Sequence, residues 1–525
     1  MNTAHATTAV SKSRLVENFP FPFTADRYRY TTNVEPAAST VATAAGHWGG
    51  AVVDIDGEYR AELDERAAIL AADPARHVVL PHMRPAAWDA MLTLMRALAQ
   101  AYPDQMQLRS TGPDTWSWRN AILGIEQSFR YGDEASLGME PLRYIASQVQ
   151  EDIVLLDQRG DALYIDAGVV TFAADWSFGF DVGMSFLEIH GPVPRIRKEG
   201  IIIRAHEFLK RLQPHQPYRR TNWTMTIGRR LDVSTELYPE WGPDRETIRT
   251  VDDAEFGRAV HLRVEVQHLI RLADSGALMF LIRTYLLPLD ELATVEAWRV
   301  RTAEVLAELP DDMAEYKGIG KYRNRAAQWL RDHGPHAAAD NDRNADVPAD
   351  QHGGLPSWGL PHWPPYPPEV DTAGAAYLVV AIGADVTTGR VARDWVAAAS
   401  SAGPTRLLVL DTLTHDMDRT ALTGALDESI TGTRILIVGG QGEVMWALSV
   451  ARAKGAIAAE LTAYVVHTRD LLAYCAHCAQ TTLCQAAPGD IVDCPGCGRR
   501  IEIHAHHSSV RGSFLACAAA GEESA

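Results

Sequence analysis

The sequence predicts an α+β body built around an antiparallel sheet, then a small α/β domain, then a four-cysteine metal knuckle. Three observations carry this expectation. Two strand-like runs, 261–272 and 277–287, flank Ala-Asp-Ser-Gly, a strong hairpin signal. Short apolar runs at 376–382, 406–410 and 434–438 alternate with helical patterns at 388–401, 416–426 and 442–454, the βαβ rhythm of a parallel sheet. All six cysteines fall at or beyond position 475, and four of them read Cys475-x-x-Cys478 and Cys494-x-x-Cys497.

Taken in order, residues 1–23 read as a flexible arm ending in Phe-Pro-Phe-Pro-Phe. Residues 24–333 form the body. Apolar positions recur at helical spacing over 58–72, 85–101 and 140–149, and segments 162–173 and 219–227 read as strands. After the hairpin, 291–309 and 317–332 read as two long helices. Residues 334–372 carry an Ala-Asp-Asn-Asp run, Gly-Gly and Pro-His-Trp-Pro-Pro-Tyr-Pro-Pro, the composition of an extended linker. Residues 373–470 hold the α/β rhythm, and 471–525 hold the knuckles.

The chain of 57.6 kDa is too long for one core. Its formal charge of −18 argues against a phosphate-backbone binder or a docker on anionic membranes, so neither nucleic acid nor membrane is expected as a partner. No apolar run is long enough to span a bilayer, and the N-terminus has no signal-type apolar core. The cytoplasm is the expected compartment, where paired cysteines serve as metal ligands rather than disulfides.

The four-cysteine cluster is the most specific motif. Two C-x-x-C knuckles present four thiolates to one tetrahedral ion, so Cys475, Cys478, Cys494 and Cys497 are the expected ligands. Zinc is favoured; Cys494-Pro-Gly-Cys-Gly498 also suits a mononuclear iron. A stapling role for the metal is preferred over a catalytic one. His504, His506 and His507 lie near enough in sequence to supplement a thiolate, while Cys484 and Cys517 read as small buried residues. The turn Val438-Gly-Gly-Gln-Gly-Glu443 joins a strand to a helix without the dinucleotide glycine pattern, so close helix–strand packing is the better account.

The body has no cysteine, so an iron or haem held there needs histidine, tyrosine, methionine or carboxylate. A helix from Asp181 should end at Gly191-Pro192, leaving His190 at a helix end with a stiff Pro-Val-Pro exit. Such a rigidly aimed imidazole suits an iron ligand; a structural histidine is the bland alternative. Strand alternation puts Arg263, Glu265 and Gln267 on one face. Lining a cavity, Arg263 would pair a propionate and Glu265 would hold a cation or move a proton; facing water, they would be solvated side chains. Arg220, Asn222 and Trp223 form a similar cluster on their own strand.

Five stretches, Gln150-Glu-Asp-Ile-Val-Leu-Leu156, Glu188-Ile-His-Gly-Pro-Val-Pro194, Arg220-Thr-Asn-Trp223, His261-Leu-Arg-Val-Glu-Val-Gln267 and Phe280-Leu-Ile-Arg-Thr-Tyr-Leu286, occur in an order that resembles the haem-dependent oxidative N-demethylase family, the large subunit of dimethylamine monooxygenase-type enzymes. The resemblance spans about residues 20–333. Val266 stands where the family usually has a second arginine after the glutamate. The C-terminal part resembles the DmmA-type small subunit, a Rossmann-like domain followed by a four-cysteine knuckle, which suggests a fusion of two partners.

The resemblance implies a PAS-like body binding haem b, with His190 as axial ligand, Arg220, Asn222, Trp223 and Arg263 around the cofactor, and Glu265 holding or deprotonating the amine. It implies oxidative demethylation of a secondary methylamine by O2, with formaldehyde and a primary amine as products. Electrons would come from NAD(P)H through a separate flavin/[2Fe–2S] reductase subunit. The competing expectation is a non-catalytic haem sensor or assembly protein with a metal-stapled docking tail. Homo-oligomer formation is left open.

Overall fold

The computed structural model describes residues 14–195, 200–333 and 360–519. The chain forms two compact units: Met1–Val182, Pro194–Ser234 and Trp241–Gln351 make the first, and Gly183–Val193, Thr235–Glu240 and His352–Ala525 make the second.

The first unit is organised by a seven-stranded sheet: β1 (Glu35–Pro36), β2 (His77–Val79), β3 (Asp152–Arg159), β4 (Ala162–Val169), β5 (Tyr218–Ile227), β6 (Val260–Arg271) and β7 (Leu278–Pro288). Its order is β1-β5-β6-β7-β3-β4-β2, and every neighbouring pair is antiparallel. The expected hairpin is therefore β6–β7 at the centre. β-Branched and aliphatic residues at alternate positions make this possible, because one face can be buried while the other stays polar. Ile270, Met279 and Leu281 pack against Met91, Leu94 and Leu98 of the 84–101 helix. Leu262, Val264 and Leu287 pack with Trp298 and Leu330 from helices in 296–332.

Several elements differ from expectation. The 140–149 helix is confined to Pro141–Ala146, and the 162–173 strand ends at Val169. The 291–309 helix is two, Leu289–Leu292 and Glu296–Glu308, because Val295 is extended. The 317–332 helix begins only at Arg323; Asp311–Tyr316 is a separate helix, and Gly318, at φ +66°, breaks the run between them. The Phe-Pro-Phe-Pro-Phe motif is buried, with Phe21 stacked on Trp298 at 4.7 Å between ring centroids. That end of the arm is pinned by aromatic packing.

The second unit contains a four-stranded parallel sheet of β8 (Ala376–Ile382), β9 (Thr405–Leu410), β10 (Thr433–Gly440) and β11 (Leu461–His467), ordered β9-β8-β10-β11. Leu378 and Val380 face one core and Tyr377 and Val379 the other, so β8 is apolar throughout. A Cβ at Gly440 would approach His467 Cε1 to 2.7 Å, and one at Gly442 would approach Leu483 Cδ1 to 2.6 Å. The glycines thus serve close packing, as the sequence indicates. The remaining sheet, β12 (Leu471–Cys475), β13 (Thr481–Cys484), β14 (Ile491–Asp493), β15 (Arg500–Ser508) and β16 (Ser513–Ala518), runs β13-β12-β16-β15-β14 and carries the cysteines. Of the expected linker, residues 334–359 lie outside the described residues; Trp363 and Trp395 donate indole N–H bonds to Gln441 Oε1 (3.0 Å) and Pro368 O (2.9 Å).

Candidate functional site

In the second unit the two C-x-x-C turns are near copies. Cys475 N–H donates to Gln480 O and Cys494 N–H to Arg499 O, at 2.9 and 2.8 Å. Ala479 and Gly498 close the turns in the left-handed region, at φ +58° and +71°. The turns bring Cys475 Sγ within 3.8 Å of Cys497 Sγ, and Cys478 Sγ within 3.5 Å of Cys494 Sγ. All four sulfurs lie within 4.8 Å of one another. A tetrahedral ion with metal–sulfur bonds of about 2.3 Å needs S···S edges of about 3.8 Å, so the donor set fits a metal. His504 does not join this cluster. Its Nε2 lies 2.7 Å from Cys517 Sγ, which gives both residues a role outside the four-sulfur group. His506 is buried, and burial, with the neighbouring His507, His504 and His190, pushes its imidazole down to about 3.

His190 also belongs to the second unit. The expected continuous helix is instead interrupted at Gly183, at φ +86°, and restarts as the single turn Phe186–Ile189. Ser185 and Glu188 form a capping box there: Ser185 Oγ accepts from Glu188 N–H (3.3 Å) and Ser185 N–H donates to Glu188 Oε2 (3.0 Å). His190 is the C-cap. Its Nδ1 lies 2.8 Å from Phe186 O, with the Phe186 ring 4.4 Å from the imidazole ring. A carbonyl can only accept, so the proton resides on Nδ1, and Nε2 is the basic nitrogen.

In the first unit, the register Asn222↔Glu265 and Arg220↔Gln267 brings polar residues of β5 and β6 onto one face. Glu265 is 8% exposed and accepts from three groups: Arg263 Nε (3.3 Å), Asn222 Nδ2 (3.3 Å) and Gln267 Nε2 (3.0 Å). Arg263 is wholly buried and also donates to Leu231 O (2.7 Å), Thr284 Oγ1 (3.2 Å) and Phe172 O. Its guanidinium is thus spent on protein acceptors. Arg220 donates to Thr32 O (3.2 Å) and Gln267 Oε1 (3.1 Å). Trp223 is not brought to this face: alternation turns it toward the core, edge-on to Phe23 at 4.9 Å.

Lys317, absent from the sequence-based set, stands beside this cluster. Its Nζ donates to Trp223 O at 2.6 Å and lies 4.6 Å from the Trp223 ring centroid, and its carbonyl accepts from Thr224 Oγ1 at 2.8 Å. Burial, with Arg220 adding repulsion and Glu265 opposing it, pushes the ammonium down to about 8. No periodicity links Lys317 to Trp223, 94 residues away. A further acidic group, His82, Asp157 and Asp166, is matched by Arg159, whose Nη1 pairs Asp157 at 3.2 Å and also Asp166. Among the described residues no helix is long and apolar enough to cross a membrane.

These features define a mixed α/β protein with several antiparallel sheets, a buried polar face on one of them, and a cluster of four cysteines able to hold a metal. The family model described as haem-dependent oxidative N-demethylase, alpha subunit-like, matches residues 46–327, more than half of the 525. The chain belongs to this family.

Proposed function

We propose that the chain is the haem-bearing component of an oxygenase that removes one methyl group from a small secondary methylamine such as dimethylamine. The observation that carries this reading is the His190 tautomer. The Nδ1–H···O=C bond to Phe186 fixes the ring and leaves Nε2 basic, as an axial ligand requires. His190 is therefore suited to ligate iron and is proposed to hold that of haem b, while Arg263 and Trp223 are engaged within the protein. When bound, haem supplies the redox iron needed for reductive activation of O2.

One methyl C–H becomes C–OH, and the second oxygen atom of O2 leaves as water with two electrons and two protons. The carbinolamine C–N bond then breaks, the hydroxyl proton passes to nitrogen, and formaldehyde and a primary amine result. NAD(P)H, through a separate flavin/[2Fe–2S] reductase subunit, is the proposed electron source. Glu265 is the proposed amine partner. Its two oxygens offer about four acceptor positions and three donors use them, so one position remains for a substrate N–H. Asn222 and Arg263 orient that carboxylate.

We read the first unit as PAS-like and the parallel sheet as a Rossmann-like domain of small-subunit type, fused through the 334–372 linker. Zinc, held by Cys475, Cys478, Cys494 and Cys497, is the proposed staple of the knuckle module. The test is an absorption spectrum of haem-loaded protein with reductase and dimethylamine present. His190→Ala should abolish the ordinary Soret band and formaldehyde release; a variant that keeps both removes the proposal.

A further inference from the structure

We propose that the cleft between the start of helix Arg84–Ala101 and the turn after strand Ile125–Arg130 binds a free amino acid with an apolar side chain. Every residue it uses lies in the first unit, and the site is independent of the haem reading.

The cleft has a volume of about 360 Å³ and is lined by Arg84, Trp88, Tyr131, Asp133 and Glu134, with Pro85 and Gly132. Small-molecule sites occupy about 300–1,000 Å³, so this one suits a small ligand. Its floor is rigid. Trp88 is 3% exposed and belongs to the apolar core, with its ring 5.4 Å from that of Tyr131 and 6.1 Å from that of Phe129. Tyr131 N–H donates to Asp114 O at 2.8 Å, and Asp133 N–H closes the turn onto Arg130 O at 3.1 Å. Gly132, at φ +81°, lets the chain reverse there. Rings and turn are thus in place before a ligand arrives, which lowers the ordering cost of binding.

The charges around this floor are unspent. Arg84 is the first residue of an 18-residue helix whose N-cap, Met83, makes no side-chain cap bond and whose first turn holds no acidic residue. A cation is electrostatically misplaced at the positive end of a helix, and Arg84 has no ion-pair partner among the described residues. An anion beside it would answer both the guanidinium and the helix end. In the turn, Asp133 accepts from Ala135 N–H (3.1 Å) and Ser136 N–H (3.4 Å) with Oδ1 alone, which leaves Oδ2 unused. Glu134 has no ion-pair partner among the described residues either, so Arg84 and the two acids share one cleft without neutralising each other.

The ligand's chemistry follows from these groups. A bare amine would meet Arg84 as a like charge, and a bare acid would meet Asp133 and Glu134 as like charges. A zwitterion sets its carboxylate on Arg84, its ammonium on the two acids and its apolar body against the Trp88 and Tyr131 rings. An α-amino acid with an apolar side chain has this form.

The experiment is calorimetric titration of the full-length protein with L-phenylalanine, L-leucine and glycine. Phenylalanine should bind with a dissociation constant of about 1 mM or below, leucine severalfold more weakly, and glycine weakest. Phenethylamine and 3-phenylpropionate, each lacking one charge, should displace phenylalanine only at about tenfold higher concentration. Scoring by displacement leaves out amine binding elsewhere in the protein. Arg84→Gln should erase the preference for phenylalanine over phenethylamine, and Glu134→Gln should narrow the preference over 3-phenylpropionate. Both positions are exposed, so these variants keep the fold. Absence of saturable heat with phenylalanine and leucine up to about 10 mM overturns the site. So does phenylalanine affinity that Arg84→Gln leaves unchanged, or glycine binding as tight as that of phenylalanine.

Discussion

The polar face of the antiparallel sheet and the cysteine knuckles solve the same problem, holding reactive groups still, by opposite physical means. On the sheet, Arg263 and Glu265 come from one strand, Asn222 from its neighbour and Lys317 from a distant turn; burial and strand register hold them. In the knuckles, two five-residue turns place four sulfurs within 4.8 Å using only local backbone bonds. The first arrangement is stabilised by the core around it. The second places four thiols together in a small module whose own core is modest, so its order depends on what the thiols bind. A site built by register is insensitive to metal and sensitive to buried charge, and a site built by knuckles is the reverse.

Cys475→Ser gives the largest expected effect. It should abolish stoichiometric metal and remove stabilisation on the order of 10 kcal/mol from the knuckle module, with amides of 471–518 losing hydrogen-exchange protection while those of β6 and β7 keep theirs. Full metal content in that variant would rule out a four-thiolate site at the knuckles. On the sheet side, Arg263→Met should cost about 3–5 kcal/mol, because it leaves Glu265 buried without its cation. Urea unfolding followed by a first-unit probe measures this, and a loss under about 1 kcal/mol would mean that the face is well hydrated.

A third prediction concerns Glu151, which is buried and accepts from Asp54 N–H at 3.0 Å. Burial, only partly offset by Arg283, pushes its carboxyl from 4.5 up to about 7. The folded state therefore binds this proton more tightly than the unfolded chain. The corresponding stability is fully present below pH about 4.5 and is lost as pH rises through about 7, a change of about 3 kcal/mol. Glu151→Gln should flatten that dependence in unfolding curves collected from pH 5 to 8; an unchanged slope would place the titration elsewhere. The smallest effect is that of Ser185→Ala, about 1 kcal/mol locally through loss of the cap beneath His190. It should broaden the Soret band of haem-loaded protein without abolishing it.

Local signals were legible where a residue's partner lies within a few positions. The hairpin, the parallel-sheet rhythm and the two C-x-x-C turns depend on alternation, turn chemistry and ligand spacing, and each is present where the residues place it. The capping box was equally local, Ser185 and Glu188 three residues apart, yet the long helix drawn through Gly183 obscured it.

What the amino-acid order alone determined was which residues alternate, which turns close and where four thiols meet, because these follow from dihedral preferences and covalent reach. Only the tertiary structure decided that Arg263 is spent within the protein, that Trp223 turns inward and that Lys317 joins the cluster from 94 residues away. Those outcomes depend on which face of the sheet is covered and on which charges are driven out of water together, and neither is a property of any short stretch of chain.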